Sequence, residues 1–146
     1  MMKRPILTAL SSIILQCAVA GASACSVTAT GMNFPPINPI SGNAYNGTAT
    51  ITVTCPVTTN FSVSLSPGAG AYGQRVMQAG GNTLRYSLFL DSAMTQLWGD
   101  GTAGTGVWNG TAGSAGVSHT VYGHVPYQPS AVPGTYTDAI TVTVIY

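Results

Sequence analysis

Apolar and hydroxyl-bearing residues alternate through several short stretches of this 146-residue chain. Across residues 48–57, threonines fall on one side of an extended backbone, and the other side carries Ile51, Val53, Cys55 and Val57. A period of two is typical of a β-strand with one buried face. Glycine, proline and asparagine punctuate the intervals, so the sequence predicts one all-β domain, an antiparallel β-sandwich. The other predicted strands are 61–65, 84–90, 120–125 and 135–146.

The last predicted strand is the most suggestive one for function, because no further strand follows it in the sequence. An exposed, flat and apolar sheet edge is something that monomeric proteins usually avoid. We therefore expect this strand to border an assembly surface. Its apolar side carries Tyr136, Ile140, Val142, Val144 and Tyr146.

The opposite end of the chain has the features of a secretory signal peptide. Lys3 and Arg4 precede an apolar stretch, and residues 22–24 read Ala-Ser-Ala, the small-x-small pattern of a cleavage site. The sequence thus predicts a signal peptide at 1–24, a mature domain at 25–146, and export. The apolar stretch is too short for a transmembrane segment. In a weaker alternative Cys25 is acylated, although Ala22 stands where lipoproteins prefer a larger aliphatic residue.

Removal of the signal peptide, which contains Cys17, leaves Cys25 and Cys55 as a pair in an oxidising compartment. We expect them to form a disulfide, which contributes about 3 kcal/mol in the chain-entropy description. No metal is expected at the histidines, because His119 and His124 lie five positions apart and fall on opposite faces of a strand.

The charges of the mature domain are too few for nucleic-acid binding. Residues 25–146 contain no lysine and no glutamate, and their two arginines and three aspartates give a net charge of −1. Nucleic acid is thus an unsuitable partner, because no basic stripe exists to neutralise phosphates. A net charge so near zero favours association with other protein surfaces. The charged residues are Arg75, Arg85, Asp91, Asp100 and Asp138.

Enzymatic function has no support in the motifs. There is no G-x-S-x-G sequence, and the aspartates are scattered among turns rather than paired. We therefore expect a protein that is not an enzyme, with no cofactor and no small-molecule substrate.

A Gly/Thr/Ser/Ala-rich segment at 98–118 carries both tryptophans, Trp98 and Trp108. One interpretation is a mobile loop that presents a tryptophan to a ligand or surface. The favoured one is a long hairpin loop whose tryptophans pack back on the sandwich. Asp100-Gly101 matches only a fragment of a calcium-binding loop, since the oxygen ligands that should follow are missing.

Several short motifs occur in a characteristic order along the chain. They are Cys25, 53–55 (Val-Thr-Cys), 75–77 (Arg-Val-Met), 84–89 (Leu-Arg-Tyr-Ser-Leu-Phe), 98–101 (Trp-Gly-Asp-Gly), 121–123 (Val-Tyr-Gly) and 134–138 (Gly-Thr-Tyr-Thr-Asp). In this order they resemble the spore coat protein U domain, a family that includes pilins of the archaic, Csu-type chaperone-usher pathway.

The resemblance implies an immunoglobulin-like sandwich that lacks its last strand. In such pilins a periplasmic chaperone first fills the open groove, and the N-terminal extension of a neighbouring subunit then replaces it at the outer-membrane usher. By this resemblance the final strand forms one wall of the groove and the first strand after Cys25 forms the other. The groove residues expected on this basis are Ile51, Val53, Tyr136, Ile140, Val142, Val144 and Tyr146.

Two function classes follow from these observations. The first is a structural or tip subunit of a surface pilus that serves attachment and biofilm formation. The alternative is a secreted spore-coat or extracellular-matrix protein that self-associates. Because cleavage before Cys25 leaves no N-terminal extension to donate, we expect a subunit that accepts a strand without supplying one.

Overall fold

The structure is a computed structural model that describes residues 24–146. The predicted signal peptide therefore lies outside the described residues, apart from Ala24. No helix within 24–146 is long and apolar enough to span a membrane. The described part of the chain forms eight strands: β1 (Ser26–Ala29), β2 (Tyr45–Thr54), β3 (Thr59–Leu65), β4 (Arg75–Ala79), β5 (Asn82–Phe89), β6 (Trp108–Ala112), β7 (Val117–Val125) and β8 (Val142–Ile145).

The strands form two antiparallel sheets that pack face to face. The larger sheet has the order β1-β2-β7-β5-β4, and the smaller one has the order β6-β3-β8. The alternating residues on the inner faces bury the core, as a half-buried strand requires. The predicted all-β antiparallel sandwich is confirmed. Fully buried members include Ile51 and Val53 of β2, Val63 of β3, Val125 of β7 and Val142 of β8.

The predicted strands agree with the structure best where the alternation is longest. The alternation predicted at 48–57 matches β2 as far as Thr54, and the stretch at 61–65 lies within β3. The predicted inward position of Val57 is wrong, because the chain turns after β2 and leaves Val57 58% exposed. Two strands were missed. β4 begins with Arg75, whose charge is unusual at a buried position, and β6 is a short Trp-Asn-Gly-Thr-Ala segment inside the predicted loop.

The prediction of one continuous final strand at 135–146 is wrong, because only Val142–Ile145 is β-strand. Upstream of it, Thr137 exchanges two backbone hydrogen bonds with Gln78 of β4, in the larger sheet. β8 instead pairs with β3, in the smaller sheet. The segment between them therefore crosses from one sheet to the other, which prevents a single ladder from running through 135–146.

The predicted disulfide between Cys25 and Cys55 is present, and it joins the residue before β1 to the residue after β2. Both cysteines are buried. The bond fixes β1 at the edge of the larger sheet, where it pairs only with β2. It also leaves no free thiol at Cys25, which the acylated alternative would need.

Candidate functional site: an open groove beside the last strand

An apolar cavity of about 500 Å³ opens on the inner face of the larger sheet. Its floor consists of inward-facing side chains from three strands. They are Met77 of β4, Leu84, Tyr86 and Leu88 of β5, and Val121 of β7. All five of these side chains are buried. In the described part of the chain the smaller sheet ends at β8, and Ile140, two residues before β8, also lines the cavity.

The first wall of the cavity is the segment 32–39, which follows β1 and is not β-strand. It crosses the sheet above Gly47 of β2 and Gly123 of β7, which are directly opposite each other in the ladder. A Cβ atom at Gly123 would come within 2.8 Å of the Phe34 ring, and one at Gly47 within 2.8 Å of the Asn33 carbonyl oxygen. Only glycine at both positions lets the wall approach so closely.

The second wall is the segment 131–138, which runs along the outer edge of β4. Its backbone is held by the paired hydrogen bonds between Thr137 and Gln78, at 2.8 and 3.0 Å. Within the wall the Tyr136 hydroxyl donates to the Val132 carbonyl at 2.7 Å. The Tyr136 ring is half-buried, and Val132 remains 48% exposed. The wall therefore presents apolar surface to solvent that no described residue covers.

One polar contact joins this wall to the floor. The Tyr86 hydroxyl donates to Asp138 Oδ2 at 2.6 Å, while the Ala69 and Ala139 amides donate to Asp138 Oδ1. Burial, and secondly this hydrogen bond, raises the pKa of Tyr86 well above its ordinary value. Tyr86 therefore stays neutral and a donor at physiological pH. The contact positions the wall rather than performing chemistry.

The backbone of β8 offers unused hydrogen-bonding groups. Ser66 and Thr141 continue the β3–β8 register, and the Ser66 amide donates to the Thr141 carbonyl at 2.9 Å. In an antiparallel ladder such pairs alternate with non-hydrogen-bonded ones, so the backbone groups of Val142 and Val144 point away from β3.

Contacts on the far side of β3 support this assignment. The backbone groups of the two β3 residues opposite Val142 and Val144 also face away from β8: the Leu65 amide donates to the Gly99 carbonyl, and the Val63 carbonyl accepts from Trp98 Nε1. The N–H and C=O groups of Val142 and Val144 find no partner within residues 24–146. β8 thus has an unpaired edge in the described part of the chain.

The structure brings together two of the seven predicted groove residues as cavity lining, Tyr136 and Ile140. The other five lie elsewhere. Ile51, Val53 and Val142 are fully buried in the core, Val144 is half-buried, and Tyr146 is 39% exposed. Period-two alternation identifies an inward face without distinguishing a filled core from an unfilled groove, which explains the difference. Val142 and Val144 are not part of the lining, but their unpaired backbone groups begin two residues after Ile140, which lines the cavity.

Sequence reasoning missed most of the cavity lining. The side chains of Met32, Phe34 and Ile37 line the first wall, and Phe34 contacts Tyr86 edge-on with ring centroids 6.2 Å apart. The cluster of Pro35, Pro36 and Pro39 was a detectable signal, since proline in an apolar stretch marks an extended segment outside a ladder.

The predicted loop with Trp98 and Trp108 packs on the sandwich, as the favoured interpretation has it. Trp98 is fully buried and donates through Nε1 to the Val63 carbonyl at 3.1 Å. Trp108 lies in β6, half-buried, and stacks on His119 with centroids 5.0 Å apart. Neither tryptophan is presented on a free loop.

Arg75 is a second buried anchor of this region. It is fully buried, and its guanidinium donates to the carbonyls of Ser66, Tyr72 and Trp98, the last at 2.7 Å. Burial lowers the pKa of Arg75 from its ordinary value. Arg75 thereby ties the start of β4 to the loops that follow β3 and β5.

Metal binding has no geometric support, because residues 24–146 contain no group of three or more His, Cys, Asp or Glu side chains placed to hold an ion. His119 Nε2 lies 2.9 Å from the Leu90 carbonyl, and His124 Nδ1 lies 2.8 Å from Asn46 Oδ1. Each histidine therefore has a local hydrogen-bond partner.

Comparisons with known proteins identify one matching family and one similar fold. The sequence profile of the Spore Coat Protein U domain matches residues 11–143. No curated protein sequence matches the chain. Among solved structures, the chain is similar to one chain in the crystal structure of the CsuC-CsuE chaperone-tip adhesion subunit pre-assembly complex from the archaic chaperone-usher Csu pili of Acinetobacter baumannii.

That structural match has a TM-score of 0.59 at 21% sequence identity, and it covers 86% of this chain. The chain spans 40% of the length of the chain it matches. The predicted immunoglobulin-like, all-β fold class is confirmed by this similarity together with the two antiparallel sheets.

Proposed function

This chain belongs to the Spore Coat Protein U domain family, and from that membership we propose that it is an exported structural subunit of a pilus assembled by the chaperone-usher pathway. A β-strand from another protein completes its sandwich in the assembled filament. A periplasmic chaperone supplies that strand first, and a neighbouring pilin supplies it after passage through the usher. Surface attachment and biofilm formation are the roles that the resulting filament serves.

The observation that carries this proposal is the unpaired edge of β8 beside an apolar cavity. A strand added at this edge would receive backbone hydrogen bonds from Val142 and Val144. Its alternate side chains would enter the cavity above Leu84, Tyr86 and Leu88. Backbone pairing combined with pockets for every second side chain is the physical basis of β-augmentation.

The surface composition also supports a partner for this domain. Residues 25–146 carry a net charge of −1 and only five ionised side chains when the histidines are neutral, so electrostatic repulsion between copies is weak. Ile40, directly after the segment 32–39, is 89% exposed, and Ile145 of β8 is 68% exposed. We infer that insertion of a strand covers part of this apolar surface.

Co-expression with a periplasmic pilus chaperone tests the proposal. The full chain is produced in the periplasm alone or with the chaperone, and size-exclusion chromatography measures the soluble product. We expect aggregation of the chain alone and a soluble one-to-one complex with the chaperone, because the chaperone pairs the β8 edge.

A chaperone variant whose donating strand carries prolines is the matched control, since proline removes the backbone donors. A folded monomer that forms without any chaperone contradicts the proposal. Soluble homo-oligomers formed without a chaperone favour the alternative, a secreted coat or matrix protein in which another copy fills the groove.

A further inference from the structure

The two sides of the groove differ in their capacity for backbone pairing. On the β8 side, Val142 and Val144 each present an N–H and a C=O group. On the opposite side, the wall from 34 to 39 reads Phe-Pro-Pro-Ile-Asn-Pro. Proline has no backbone N–H, so half of this wall lacks the donor that a β-ladder needs.

The remaining amides do not restore a ladder. The Asn38 amide already donates to the Tyr45 hydroxyl at 2.9 Å, which leaves Phe34 and Ile37 as potential donors. Backbone groups of a strand face its two edges alternately, so either positions 34, 36 and 38 or positions 35, 37 and 39 would face the groove. Either set contains only one free N–H.

The backbone conformation of this wall is also unsuited to a ladder. Proline fixes φ near −65°, and the residue before a proline is pushed towards extended or polyproline II geometry. Phe34, Pro35 and Asn38 each precede a proline. Polyproline II turns its carbonyls around three directions rather than two, so they do not form an evenly spaced row along one edge. The segment 34–39 is accordingly not β-strand.

From these observations we infer that the strand that completes this domain is hydrogen-bonded on one side only, to β8. The proline wall, defined as residues 34–39, holds the strand through side-chain contact alone. The occupant is an extended segment with alternating apolar residues, whose apolar side chains fill the cavity. This inference rests on the proposed function and adds which element beside the groove, β8 or the proline wall, supplies backbone recognition.

An ester scan of a synthetic strand tests the inference, because an ester replaces one N–H with oxygen and leaves the side chains unchanged. The probe is a peptide of alternating valine and serine with terminal lysines for solubility. The bound strand has β8 along one edge and the proline wall along the other. When the valines face the cavity, all valine N–H groups point to one of these edges and all serine N–H groups point to the other. Competition against the labelled parent peptide for the full chain measures the affinity of each ester.

We expect esters of one residue type to weaken binding roughly fivefold each, since a net backbone hydrogen bond is worth about 1 kcal/mol. Esters of the other type should change affinity by less than about twofold, the effect of a hydrogen bond that is not made. Equal losses for both types overturn the inference while leaving the proposed function intact. A parent peptide that does not bind overturns the proposed function and this inference with it.

A pair of protein variants tests whether β8 supplies the backbone hydrogen bonds to the strand. Val144→Pro removes the outward N–H without touching the β3 ladder, and Val144→Ala shortens the side chain while keeping that N–H. We expect Val144→Pro to bind the parent peptide roughly fivefold more weakly than Val144→Ala, with circular dichroism checking that both fold. Equal affinities of the two folded variants would show that the peptide does not pair with β8, and they would overturn the inference.

Discussion

The sandwich is closed around Trp98 and open around Phe34. At the closed end, the Trp98 ring is fully buried, its N–H is bonded to Val63, and Arg75 satisfies the Trp98 carbonyl. At the open end, Phe34 is half-buried above a cavity of about 500 Å³. Both regions are apolar and aromatic. The two ends therefore differ in how fully their residues are contacted, and not in residue type. A core residue has protein partners for its backbone and its whole side chain, whereas a groove residue leaves part of its surface without them.

Removing the central side chain of the closed end is expected to have the largest effect. Trp98→Ala leaves a large cavity and removes the indole hydrogen bond to the Val63 carbonyl, so the free energy of unfolding should fall by about 3–5 kcal/mol. Chemical denaturation of the strand-bound chain measures the change. Val57→Ala is the control, because Val57 is 58% exposed and should change stability by less than about 0.5 kcal/mol. If Trp98→Ala lowered the free energy of unfolding no more than Val57→Ala does, the region around Trp98 would not be a closed core.

Loss of the disulfide should rank second. Cys25→Ser combined with Cys55→Ser opens a loop with a sequence separation of 30 and should lower the free energy of unfolding by about 3 kcal/mol. Thermal unfolding with and without a reductant measures it. The wild-type chain should lose stability on reduction, whereas the double variant should not respond. An unresponsive wild-type chain would show that the cysteines are unbonded in solution.

Phe34→Ala sharpens the comparison from the open side. Because the ring is only half-buried, the free energy of unfolding of the strand-bound chain should fall by only about 1–2 kcal/mol. Binding of an alternating valine–serine peptide should weaken at least as much, since the ring forms part of the cavity lining. Denaturation and peptide titration on the same preparation separate the two effects. A large stability loss with unchanged binding would place Phe34 in the core instead.

The smallest expected effect lies in an exposed turn of the closed region. The Gln96 amide, together with the Thr95 hydroxyl and amide, donates to the Asp91 carboxylate and lowers its pKa below the ordinary value of 3.8. A carboxyl with a depressed folded-state pKa stabilises the fold above its ordinary pKa, and this contribution disappears as pH falls through the folded value.

Asp91→Asn should therefore be slightly less stable than the wild-type chain near neutral pH and equally stable in strong acid. Denaturation midpoints measured across the acidic range check this convergence. A difference that persists below both pKa values would mean that the asparagine disturbs the turn sterically.

Much of the fold could be predicted because alternation directly reports a half-buried strand. Residues 51 and 53 of β2, and residue 55 directly after it, illustrate this, since each is buried as expected. The groove could not be located as well, because Val142 in the core and Ile140 in the cavity lining are both inward-facing apolar residues. Whether an inward face is filled depends on pairing between distant segments, such as Gln78 with Thr137, that no local pattern encodes.

The facing glycines of β2 and β7 set how thin this side of the molecule is. Gly47 and Gly123 replace two side chains by two hydrogen atoms, which lets the chain from Met32 to Phe34 lie almost directly on the sheet. The depth available to an incoming side chain is therefore fixed by two positions on separate strands that must remain small together. A single added methyl group at either glycine would push the segment from Met32 to Phe34 away from the sheet. The cavity would then change its depth although every residue that an incoming strand touches stays the same.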